Sequence, residues 1–171
     1  MGPVVGAWGA LYRTDFLKKN QIFFFEEIKF SEDILFSAKV ILCTQKFYYK
    51  EEAGIYHYWY NPDSISKSFR EGRWESCKKI IEHAEIEFKN RKEYCFEQQL
   101  NWLTWFVILV GLKERGKMTD RSERKVYCRK LLNDPVVRRC PLKIQELDVP
   151  EKQKILLYMI KKNWWWIFSL I

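Results

Sequence analysis

The stretch that decides the fold is Ile22–Leu42, which reads IFFFEEIKFSEDILFSAKVIL. Its first nine residues, Ile22 to Phe30, are aromatic and apolar in the manner of a strand. From Glu32 onward Ile34, Leu35, Ala38, Ile41 and Leu42 recur at the spacing of one helical face. Ser31 stands between the two, where an N-cap residue belongs. The segment therefore predicts a strand, a turn and a helix, in that order.

Working outward, residues 7–20 predict a connector leading into a short helical turn, with Thr14 as N-cap and Asn20 as its stop. On the other side, Lys46–Lys50 and Ile55–Tyr60 predict two strands joined by Glu51-Glu52-Ala53-Gly54. Asn61-Pro62 ends the second, because proline cannot donate to a ladder. Beyond Ser68 the periodicity becomes helical. Trp74, Cys77, Ile80, Ile81, Ala84 and Phe88 mark one face of a helix over 71–93. Residues 95–113 are apolar nearly all round, as in a helix buried between neighbours. Residues 121–133 predict a short basic helix stopping before Pro135. A last helix starts with Pro150 near its first turn and carries a stripe of Ile155, Leu156, Met159, Ile160, Trp164, Ile167, Phe168 and Ile171.

These elements predict an α/β fold (α+β as an isolated fragment). A few-stranded partial sheet with one covering helix fills residues 1–70, and a mainly helical region follows over 71–171. A sheet this small needs a partner or a cover, so the front reads as the end of a larger sheet.

Charge divides the chain as well. Residues 1–112 are balanced, whereas residues 113–171 carry 15 Lys/Arg against 7 Asp/Glu and account for the whole net charge of +8. Such a basic third suits an anionic partner, and it also suits a solvated helix face. Five cysteines without C-x-x-C spacing point to free thiols in a reducing compartment, and two histidines are too few for a zinc site. The first ten residues have no secretory pattern, and Leu100–Leu112 is shorter than a membrane span requires. A cytoplasmic location follows, with peripheral attachment to the inner face of the plasma membrane as a further expectation. Lys152, Lys154, Lys161 and Lys162 precede Trp164-Trp165-Trp166-Ile167-Phe168, so residues 152–171 suit an anionic membrane surface.

The adjacent carboxylates Glu32 and Asp33 have two readings. At a helix N-terminus negative charge interacts favourably with the dipole and the unsatisfied N–H groups. A strand-to-helix turn is also where α/β folds present catalytic side chains, and a carboxylate there can take a proton from a substrate hydroxyl.

Ala7-Trp8-Gly9-Ala10-Leu11-Tyr12-Arg13 with Phe16-Leu17, then Ser31-Glu32-Asp33-Ile34-Leu35-Phe36, then Tyr56-His57-Tyr58 and Asn61-Pro62-Asp63-Ser64-Ile65-Ser66, resemble the family 2 glycosyltransferases in order and spacing. These are the inverting enzymes of bacterial capsule, lipopolysaccharide and related glycan synthesis. The resemblance covers residues 7–68. It implies sugar transfer from a nucleotide sugar to a glycan or lipid-linked acceptor. Asp33 would be the general base, with Glu32 and Trp8 on the acceptor side, where Trp8 could stack on a sugar face or pack in a core. It also implies a divalent metal, Mn or Mg, in the complete enzyme. The chain has no D-x-D, so no metal is expected on these residues alone, and the nucleotide-binding half is expected to be missing from this portion. Trp59 stands where the family often has arginine.

The alternative is a non-catalytic basic helical module that binds an anionic membrane surface or nucleic acid through Arg121, Arg124, Lys125, Arg129, Lys130, Arg138 and Arg139. No zinc-finger spacing or RNA-recognition motif favours the nucleic-acid version.

Overall fold

A computed structural model describes residues 7–8, 10–44, 46, 48, 59, 61, 68–89, 96–140 and 142–170. Among these residues 68% are helical and none is in a strand. The expected α/β fold with a partial sheet is therefore corrected to a mainly helical one.

The correction falls on Ile22–Phe30. Its backbone is irregular, with a turn at Glu26-Glu27 closed by the Ile28 N–H donating to the Phe25 carbonyl at 3.0 Å. Only Ile22 and Ile28 are buried, six residues apart, while Phe23 and Phe24 are exposed. A strand with one covered face would bury every second side chain. Here the aromatics instead pair locally, Phe23 with Phe25 and Phe24 with Phe36. β-propensity registers fit to a pleated surface, and among the described residues no strand pairs with this segment. The expected strands at 46–50 and 55–60 lie essentially outside the described residues.

The helices are α1 (Thr14–Lys19), α2 (Glu32–Cys43), α3 (Arg73–Lys89), α4 (Glu97–Lys113), α5 (Arg121–Leu132), α6 (Pro135–Arg139), α7 (Glu151–Lys161) and α8 (Trp165–Leu170). Short 3-10 turns occupy Glu114–Lys117 and Ile144–Glu146. Asn20 ends α1 as expected, its side-chain amide donating back to the Phe16 carbonyl at 2.8 Å. Asp120 caps α5 by accepting from the Glu123 N–H at 2.7 Å. The sequence reading missed α6, where Asp134 accepts from the Val136 N–H and Pro135 occupies the first turn.

One core joins these pieces. Trp74, Cys77, Ile80, Ile81 and Ala84 of α3 are buried, as their spacing predicts. They share a cluster with Trp105, Ile108 and Leu112 of α4, Leu131 and Leu132 of α5, and Phe168 of α8. Ile34 and Leu35 of α2 belong to it too, so α2 is fixed against the helical region through α3. The close approach of α4 needs Gly111, because a Cβ there would meet Trp74 Cε3 at 2.7 Å and Leu131 Cδ1 at 3.2 Å.

The last helix differs from its expected form. It breaks after Lys161, and Asn163 adopts a left-handed conformation with φ 59°. The break reorients the remaining residues. Ile160 and Phe168 of the predicted stripe are buried, as is Leu157 outside it, while Ile155 and Trp164 of the stripe are exposed. Among the described residues no helix is long and apolar enough to cross a membrane.

Candidate functional site

Ser31 governs the entrance to α2. Its backbone is left-handed, with φ 59°, and its side chain makes no capping bond. Ser31 thus holds the expected N-cap position without the expected capping bond. Its hydroxyl instead accepts from Arg73 Nη2 at 3.2 Å. The same guanidinium lies over the Phe30 ring, 5.8 Å from its centroid.

Arg73 is itself held from behind. Its Nη1 stands 3.4 Å from Glu114 Oε1, and the Glu114 side chain is only 3% exposed. Lys117 Nζ reaches the same oxygen at 2.7 Å, and the Arg70 N–H donates to Oε2 at 3.2 Å. Removing a carboxylate from water is costly unless it is paired and hydrogen-bonded, and these three donors meet that need. Glu114 thus ties the end of α4 to the start of α3, and Arg73 carries the tie onward to the start of α2.

The two carboxylates of α2 lie in different surroundings. Glu32 is exposed, and Asp33 is half-buried. Burial raises the Asp33 carboxyl above its ordinary value, and the neighbouring Glu32 charge adds to that. The N–H groups of Asp33 and Ile34 and the charge of Arg73 work against the rise without cancelling it. A raised carboxyl is a stronger base once ionised.

Trp8 precedes α1 and is 59% exposed. Its segment returns to α2 through Tyr12, whose ring meets Phe36 edge-on at 5.4 Å. Phe24 stacks on the same Phe36 ring at 4.5 Å. Phe36 follows Asp33 by three residues and so lies on the same side of the helix. The tryptophan segment and the Ser-Glu-Asp segment therefore meet within one turn of Asp33. Tyr56, His57, Tyr58, Ser64, Ile65 and Ser66 of the resemblance lie outside the described residues.

The described residues offer no group of three His, Cys, Asp or Glu side chains suited to the divalent metal that the resemblance implies. The thiols of the core are inert by environment. Burial pushes Cys77 up to about 12 and raises Cys128 and Cys140 as well.

Several of the basic residues named for a binding module also make contacts within the fold. Arg124 donates to the Met118 carbonyl at 2.7 Å, Arg138 to the Ile160 carbonyl at 2.7 Å, and Arg139 pairs with Glu85 at 3.6 Å. Lys125 and Arg129 flank the Trp165 ring at 5.9 and 5.7 Å.

Sequence reasoning missed Arg73 and Glu114. The available signal was a carboxylate directly after a helix apolar on all sides, since a charge in that position requires partners. No protein-family profile, curated protein or solved structure matches this chain.

Proposed function

We propose that this chain supplies the acceptor side of an inverting, family 2-like glycosyltransferase of bacterial surface polysaccharide synthesis. In this reading the Asp33 carboxylate removes the proton from the acceptor hydroxyl. The freed oxygen attacks the anomeric carbon of the nucleotide sugar from the face opposite its leaving group. The bond from that carbon to the nucleoside diphosphate breaks as the new glycosidic bond forms. Glu32 and Trp8 lie at the acceptor edge. In this reading nucleotide and metal binding belong to a partner portion, since the sequence carries no D-x-D.

The observation that carries the reading is the meeting of the two sequence segments at Phe36, one turn from Asp33. Two further features support it. Asp33 has the raised proton affinity useful in a general base. Leu11, Phe23 and Ile41 are exposed apolar side chains, which suits contact with a further domain.

The test is a donor survey with the full-length gene product. Nucleoside diphosphate release is followed with several nucleotide sugars, with and without glycan or lipid-linked acceptors. Release that requires acceptor supports the reading. No acceptor-dependent release from any donor removes it.

A further inference from the structure

The break between α7 and α8 creates a surface that a continuous helix would not have. Trp166 and Leu170 lie four residues apart on α8, and Ile155 and Tyr158 three apart on α7, so each pair shares a face. These four side chains and Trp164 are between 41% and 62% exposed. Trp164 meets the Tyr158 ring edge-on at 6.3 Å, which sets the α7–α8 turn against the α7 face.

Cations border this apolar area. Lys162 Nζ sits 5.5 Å from the centroid of Tyr158, and Lys125 and Arg129 of α5 lie over Trp165. Among the described residues none of Lys125, Arg129, Lys161 or Lys162 is paired with a carboxylate. Lys154, by contrast, is held by Glu151 at 2.6 Å. A depression of about 430 Å³ lined by Ile144, Gln145, Tyr158, Lys161 and Lys162 opens beside the aromatics. Two lysines at its edge suit a phosphate oxygen.

We infer that this surface, built from α7, the α7–α8 turn and α8 with the bordering cations of α5, docks on an anionic lipid bilayer. Trp and Tyr favour the headgroup level, where an apolar ring and a polar tip are both satisfied. Uncompensated Lys and Arg around them are attracted by anionic headgroups. The exposed aliphatics decide between lipid and nucleic acid. Bases stack on flat rings, and Ile155 and Leu170 offer none, whereas both suit the acyl boundary. The inference does not depend on the sugar-transfer reading.

The test is co-sedimentation of the whole chain with vesicles of phosphatidylglycerol and phosphatidylcholine, beside vesicles of phosphatidylcholine alone. Deleting the C-terminus would remove Phe168 from the core, so point variants are used instead. Lys161→Gln/Lys162→Gln and Trp164→Ser/Trp166→Ser change exposed side chains, and thermal melts check that both variants remain folded. The expected result is binding to anionic vesicles that weakens with salt. Each lysine removed should lower partitioning about fivefold, and the double tryptophan variant should lose binding to a similar extent. Equal binding to neutral vesicles, or variants that bind as the parent does, would overturn the inference. Binding to a DNA or RNA oligonucleotide with none to vesicles would also overturn it and assign the surface to nucleic acid.

Discussion

Arg73 lies 3.4 Å from Glu114, and this ion pair anchors the guanidinium that donates to Ser31 at the entrance of α2. Glu114 gathers Arg73, Lys117 and the Arg70 N–H, so its loss leaves the Arg73 guanidinium without its anchor. Glu114→Ala should destabilise the protein by about 3 kcal/mol, the usual cost of removing one partner of a buried pair. Urea unfolding gives the value. A loss well under 1 kcal/mol would show that the pair does not hold the two regions together.

Gly111→Ala tests the packing of α4 against α3 and α5. Alanine gains about 1 kcal/mol of helix propensity over glycine, but overpacking a filled core costs about 1–3 kcal/mol. The Trp74 ring cannot easily retreat, since its Nε1 donates to Asp134 Oδ2 at 2.9 Å. A net loss in stability is expected. An equal or higher melting temperature would mean that Trp74 moves freely.

How much of this was legible in the sequence depends on the range of the interaction. The spacing from Trp74 through Ala84 placed α3, and the apolar run around Trp105 placed α4, because each buries a face that its own residues define. Ile22–Phe30 misled, because three successive phenylalanines carry β-propensity but no register. The Asn163 break was hidden, because Trp164, Ile167 and Phe168 continue the apolar pattern past a backbone reversal. Pro135 reads in the sequence as a stop for α5, although together with Asp134 it also starts α6. In the site, Glu32 and Asp33 could be named from the sequence. Arg73 could not, since its relation to Ser31 exists only after α3 folds onto α2.

Asp134 gives a pH dependence of definite sign. Burial pushes its carboxyl up, but hydrogen bonds from the Trp74 indole, the Val136 N–H and Lys78 together hold it below the ordinary value. A lowered folded value means that its contribution is present above the ordinary aspartate range and is lost as pH falls through the folded value. Asp134→Asn should therefore be clearly less stable than the parent at pH 7, and the gap should narrow in strong acid. Urea midpoints across that range measure it. A gap that does not change with pH would contradict the assignment.

Asp33 has the opposite sign. Its folded carboxyl is raised, so the folded state favours the protonated acid, and stability falls as pH rises from the ordinary aspartate value through the raised one. Asp33→Asn removes that penalty and keeps an acceptor for the nearby N–H groups. The variant should melt no lower than the parent at neutral pH, and any advantage should vanish in acid. A drop of several degrees at neutral pH would show that the charged carboxylate serves mainly to stabilise the helix start.

The most direct measurement is acceptor-dependent turnover of the full-length protein carrying Asp33→Asn, beside Glu32→Gln, at saturating donor. A positioned general base contributes about 10²–10⁴-fold in rate, so Asp33→Asn should lose that much turnover while donor affinity changes little. Glu32→Gln should lose far less. Turnover near the parent value in Asp33→Asn would contradict the account and leave Asp33 with a structural role at the start of α2.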